Sequence, residues 1–252
     1  MLLAIDIGNT NITAGVFYAN KLKYQFDILT KNYKKSELIK KLRAFPGISA
    51  GIICSVVPRL TLTLQEDLKL LIGKNIYIVG KDLIVPIVNR YRIPKQVGQD
   101  RLVNAYAAKT LYRAPLIVID SGTAVTFDVI SKNQAYLGGL IFPGMKMCLK
   151  ALKEKTALLP EVKLQTPKTL IGHDTKNSIL SGVVFGIASL SETLTAKIKQ
   201  RLGKNTLIVG TGGNIALIKK YSGMPMKINK NLTLTGLKLI YEEKIGEFIK
   251  NS

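Results

Sequence analysis

The chain begins with an apolar run, Leu2-Leu3-Ala4-Ile5, that is closed by Asp6-Ile7-Gly8-Asn9-Thr10. A short apolar run ending in turn residues predicts a buried strand. The pattern returns at Leu116-Ile117-Val118-Ile119-Asp120-Ser121-Gly122-Thr123. Both copies continue alike. Strands are predicted over Ile12 to Phe17 and Ala124 to Ile130, turns at Ala19-Asn20-Lys21 and Ser131-Lys132-Asn133, and third strands over Leu22 to Leu29 and Ala135 to Ile141. A pattern that occurs twice in this order predicts a duplicated α/β chain, with halves at 1–114 and 115–252 that meet at Ala114-Pro115.

Between the echoes, helical spacing covers Ser36 to Phe45, Leu60 to Ile72 and Asp100 to Tyr112, with strands at Gly51 to Val57 and Asn75 to Val79. The second half adds helices over Ser178 to Leu202, Ile215 to Tyr221 and Thr235 to Ile249, and a strand at Thr206 to Val209. Strands alternating with helices imply a mixed sheet in each half, flanked by helices, with a cleft between the halves.

Composition narrows the function. Of 252 residues, 47% are hydrophobic, enough for a sizeable core. No uninterrupted apolar stretch approaches the roughly 20 residues of a membrane span, and no basic segment precedes the first apolar run, so a cytoplasmic protein with no membrane partner is expected. Cys54 and Cys148 lie far apart and the single His173 has no nucleophile motif near it, which argues against a zinc site, a disulfide framework and triad hydrolysis. The 37 Lys and Arg exceed the 16 Asp and Glu, a formal charge of +21. These lysines are scattered, without the interleaved aromatics of a single-strand binder or a helix-turn-helix pattern, so specific nucleic-acid binding is not expected.

A strand ending in Asp-x-Gly followed by Thr delivers a carboxylate, a close-approach backbone and hydroxyls to one spot, which suits a metal–phosphate site. For a single copy, turn chemistry alone would explain the residues; two copies shift the balance. Neither a P-loop nor a G-x-G-x-x-G fingerprint is present. Thr211-Gly212-Gly213-Asn214 follows the strand at Thr206 to Val209 and precedes a helix, so a nucleotide could lie there against bare backbone. Gln99-Asp100-Arg101, taken alone, also fits a helix start followed by a solvated cation.

Taken in order, Asp6 to Thr10, Tyr91 with Pro94, Gly98-Gln99-Asp100-Arg101, Asp120 to Ala124, Gly138 to Gly144, Thr156 to Pro160, Thr175 with Ser178 and Gly182, and Thr211 to Gly213 form an ordered set. In that set the chain resembles type III pantothenate kinases, members of the superfamily of acetate and sugar kinases, heat-shock ATPases and actin. The resemblance implies two actin-like (ribonuclease H-like) domains and transfer of the ATP γ-phosphoryl group to the 4′-hydroxyl of pantothenate, the first step of coenzyme A biosynthesis.

It further implies that Asp6, Ile7, Gly8, Asn9, Thr10, Asn11, Ile12 and Thr13 form the first phosphate loop, with Asp6 near Mg²⁺, and that Thr123 contacts ATP. Tyr91, Gly98, Gln99, Asp100, Arg101 and Thr175 are implied to bind pantothenate, with Asp100 as proton acceptor. Asp120 is implied to hold a monovalent cation, K⁺ or ammonium, and the assembly is expected to be a homodimer. Gln99 stands where the family usually has Ala, and Asn214 where Asp is common. The competing expectations are another small-molecule kinase of the superfamily, which would lack the Tyr91 and Gly98 to Arg101 set, and a transcription accessory factor that binds nucleic acid.

Overall fold

The computed structural model describes residues 1–73 and 75–250, with residues 245–250 described by backbone alone. Contacts divide the chain into two units. The first comprises Met1–Ile87, Arg92–Thr110 and the chain from Asn231 onward, and the second Val88–Tyr91 and Leu111–Lys230.

The first unit is built on β1 (Leu2–Ile7), β2 (Asn11–Tyr18), β3 (Lys21–Leu29), α1 (Lys35–Leu42), β4 (Ala50–Ser55), α2 (Pro58–Ile72), β5 (Ile76–Ile78) and α3 (Gln99–Leu111). Its sheet runs β3-β2-β1-β4-β5, antiparallel on the hairpin side and parallel from β1 through β5. β1 is buried on both faces, which explains its lack of polar alternation. α2 begins two residues before the predicted start, because Pro58 sits at the first helical position, where a missing N–H costs nothing.

The second unit contains β6 (Leu116–Ser121), β7 (Ala124–Ile130), β8 (Tyr136–Pro143), α4 (Met145–Lys155), α5 (Thr175–Leu202), β9 (Leu207–Thr211), α6 (Ile215–Tyr221) and β10 (Lys227–Ile228). Its sheet, β8-β7-β6-β9-β10, repeats the first one strand for strand. The expected duplication is therefore present as two five-stranded mixed sheets flanked by helices.

Two helices of the second unit differ from expectation. No helix is predicted over Met145–Lys155, where α4 forms with Met145 and Leu149 buried, because four lysines on its outer face dilute the apolar period. α5 starts a turn early: Asp174 accepts the Asn177 backbone N–H at 2.9 Å and caps the helix. α5 is also long and apolar enough, by length and composition, to cross a bilayer. Its Leu180, Val184 and Ile187 instead join the core of the second unit with Ile117, Phe127 and Met145.

The last helix, α7 (Leu232–Lys250), belongs with the first unit although it follows the second in sequence. Leu232, Leu234, Leu237 and Ile240 are buried. Gly236 lets it approach α3 closely, since a side-chain carbon there would come within 2.8 Å of Val103, and Thr233 donates to Asn104 Oδ1 at 2.8 Å.

Candidate active site

In the first unit, Asp6 ends β1 half-buried, with Thr13 of β2 opposite on one side and Cys54 of β4 on the other. The loop that follows is tied down from two directions. Gly8 N donates to Asn11 O at 2.9 Å, and Thr30 fixes the loop by donating its hydroxyl to Gly8 O at 2.7 Å and its N–H to Thr10 O at 3.0 Å. Asn9, Thr10 and Asn11 stay exposed. Ile7 and Ile12 point into the core and can offer a ligand only backbone. The Thr13 hydroxyl is engaged by Asp27 Oδ1 at 2.7 Å. Thr30 and Asp27 were not expected in this role, and only the fold brings them to the loop.

Gly98 to Arg101 opens α3 in the same unit. Burial raises Asp100 above the ordinary carboxylate range, opposed by hydrogen bonding to the Arg101 N–H and by the Arg101 guanidinium. Arg101 itself is buried. The fully buried Cys54 thiol is pushed up first by desolvation and then by the charges of Asp6 and Asp100. Both carboxylates therefore act on the end of β4. Gly98 is needed beside Asp100, since a side-chain carbon there would lie 2.5 Å from Asp100 Oδ1.

In the second unit, Asp120 ends β6 with Thr126 and Thr211 as its strand neighbours. Two segments converge on its loop, one at Gly144 and one at Gly212 to Asn214. Gly144 N donates to Thr123 O at 3.0 Å, Asn214 N donates to Ser121 O at 3.0 Å, and Gly212 faces Asp120. A side-chain carbon on Gly212 would collide with Asp120 Oδ1, and its φ of 87° favours glycine independently. Thr123 is exposed on this loop, and the Ser121 hydroxyl is buried with no hydrogen-bond partner. Asn214, read in the sequence as part of a glycine turn and as a replacement for Asp, thus contributes its backbone to the loop.

Tyr91 belongs to the second unit, where its ring lies over Gly138 and 6.5 Å from the ring of Tyr136. The Tyr136 hydroxyl donates to the buried Asp128 at 2.9 Å, an anchor that sequence spacing did not suggest. Thr175 is exposed at the first turn of α5. The structure thus brings Asp6, Asp100 and Arg101 together in one unit and Asp120 and Thr123 in the other, with Tyr91 and Thr175 at separate places in the second.

Among the described residues, no three His, Cys, Asp or Glu side chains form a metal cluster. A lone carboxylate such as Asp6 still suits Mg²⁺, which keeps waters and takes its other oxygens from phosphates. Asp120 is set against the bare backbone of Gly212.

The family model for type III pantothenate kinase matches residues 2–197. The chain belongs to the type III pantothenate kinase family. It is 39% identical to the type III pantothenate kinase of Finegoldia magna over 95% of this chain and 96% of that one. It is 37% identical to the enzyme of Dehalococcoides mccartyi over 96% and 97%. Among solved structures, the activator of 2-hydroxyisocaproyl-CoA dehydratase from Clostridium difficile, with bound ADPNP, aligns over 100% of this chain and 97% of its own with a TM-score of 0.59. At 10% identity that likeness speaks for the actin-like fold alone.

Proposed function

We propose that this type III pantothenate kinase family member phosphorylates pantothenate at its 4′-hydroxyl with ATP as donor, giving 4′-phosphopantothenate for coenzyme A synthesis. The observation that carries the mechanism is the half-buried Asp100 carboxylate beside Gly98 and Arg101, in the unit that also bears the Asp6 loop.

Phosphoryl transfer asks the protein mainly to position reactants and offset charge. A primary alcohol is a poor nucleophile, and Asp100, raised by burial, is a stronger base than an exposed aspartate. It orients the 4′-hydroxyl and takes its proton as the new O–P bond forms. Arg101 holds the pantothenate carboxylate, for which a planar guanidinium suits better than an ammonium. Tyr91, Thr175 and the backbone of Gly98 and Gln99 complete acceptor binding. The exposed 9–11 backbone, the Thr10 hydroxyl and Thr123 hold the polyphosphate, with Ile7, Ile12 and Thr13 supporting the loop. Mg²⁺ near Asp6 and K⁺ or ammonium at Asp120 supply positive charge against the polyphosphate.

The reaction belongs in the cytoplasm, a compartment consistent with the free Cys54 and Cys148 thiols, and the assembly is a homodimer. The test is ADP release with ATP, Mg²⁺, K⁺ and pantothenate, repeated without K⁺ and without pantothenate. Turnover that needs both supports the assignment. A folded chain that is silent with pantothenate but active on another alcohol refutes it. Sedimentation of the active species checks the dimer.

A further inference from the structure

Gln99 opens α3 beside the proposed base, and its side chain lies against Gly80. A side-chain carbon on Gly80 would come within 2.7 Å of Gln99 Cδ and 3.0 Å of its Cγ and Nε2. Gly80 sits at φ 84°, in a turn that is closely bonded. Its N–H donates to Leu83 O at 2.8 Å, Asp82 N donates to Ile78 O at 2.8 Å, and Ile78 N donates to Asp82 Oδ2 at 2.8 Å. Val79 N donates to Ile53 O at 2.9 Å, which ties the turn to β4, the strand that carries Cys54.

The first turn of a helix has N–H groups without intrahelical partners and moves readily unless something holds it. Here Gln99 rests on a fixed turn on one side of Asp100, and Gly98 leaves room for the carboxylate on the other. We infer that Gln99 is a positioning residue: by packing on the bare backbone of Gly80 it fixes the first turn of α3 and the direction of the Asp100 carboxylate. The inference rests on Asp100 being the proton acceptor.

The test is a cycle of Gly80→Ala, Gln99→Ala and the double variant, with Gln99→Met as the control that keeps length without the amide. Each is assayed for pantothenate-dependent ADP release across pH and for amide exchange at Leu102, whose N–H donates to Gly98 O at 3.3 Å. The strain that alanine meets at position 80 is common to both backgrounds and cancels in the cycle. Gly80→Ala is expected to lower kcat roughly tenfold or more, since small misplacements at a reacting group are costly. The same change is expected to cost at least about fivefold less when residue 99 is already alanine. Gln99→Ala is expected to shift the acid limb of kcat/KM while leaving KM for ATP unchanged, and Gln99→Met to restore the limb.

Effects that simply multiply, with an unmoved acid limb, overturn the inference, as does Gln99→Met behaving like Gln99→Ala, which would mean the amide touches the acceptor. If the unmodified chain shows no pantothenate turnover, the assignment of the reaction fails separately. The packing is then read from Leu102 exchange, which must quicken in both single variants and be no faster in the double. Unchanged exchange overturns it.

Discussion

The two sheets share one strand order, yet the carboxylates that end their leading strands meet different neighbours. Asp6 has a buried thiol across the parallel pair, at Cys54, and β4 continues through Val56 and Val57 into a helix opened by Pro58. Asp120 has Thr211 across its parallel pair and then the bare backbone of Gly212. In the first arrangement the acid shares the strand end with Asp100. In the second, the Gly212 backbone itself packs closely against Asp120. The two loops share one form and differ in the residue that follows the parallel strand, Val56 in the first and Gly212 in the second.

Removing the proposed base should break this division most severely. Asp100→Asn is expected to lower kcat by roughly 10²- to 10⁴-fold in the ADP-release assay, the usual span for general base catalysis. Its melting temperature should not fall, because the variant no longer buries a charge. On the opposite unit, Gly212→Ala pushes a methyl into Asp120 Oδ1 and is expected to cost roughly tenfold or more in kcat/KM. K⁺ titration should show a weakened half-saturation; an unchanged K⁺ response would remove Asp120 from the ion site.

The pH response sharpens the contrast. Asp100 works as a base only when ionised, so burial moves the acid limb of kcat/KM to higher pH than an exposed aspartate gives. Stability has its own sign. Between the ordinary and the raised pKa the folded chain holds a proton that the unfolded chain has lost, so stability falls as pH rises through that window. Asp100→Asn should flatten this fall in melting curves taken across the window.

Smaller effects concern the scaffold. Gly236→Ala sets a methyl within 2.8 Å of Val103 and is expected to cost about 1–3 kcal/mol, seen as a lower melting temperature. Asp174→Ala removes a helix cap from an exposed position and should lower the melting temperature least of all, with the difference fading in acid as the depressed Asp174 carboxyl protonates.

The duplicated strands were legible because a run such as Leu116 to Ile119 is buried on both faces and stops at turn residues. Asp100 stands out in the sequence only through its place in an ordered set of motifs; alone, it reads as a helix start. What the sequence hid depends on distant approach. Thr30 reaches the first loop from the far end of the hairpin, Asn214 reaches the second from another strand, and Gln99 meets Gly80 through a turn whose positive φ no local pattern announces. α4 stayed hidden because its lysines mask a narrow apolar stripe of Met145 and Leu149.

α7 joins β1 and β4 only after the whole second unit has been synthesised. Leu232, Leu234, Leu237 and Ile240 are buried in the folded chain, so the surface they cover stays exposed on the nascent chain until α7 leaves the ribosome. The half that is translated first is therefore the half completed last, and a premature stop near residue 230 would damage the N-terminal unit while sparing the one that precedes the stop.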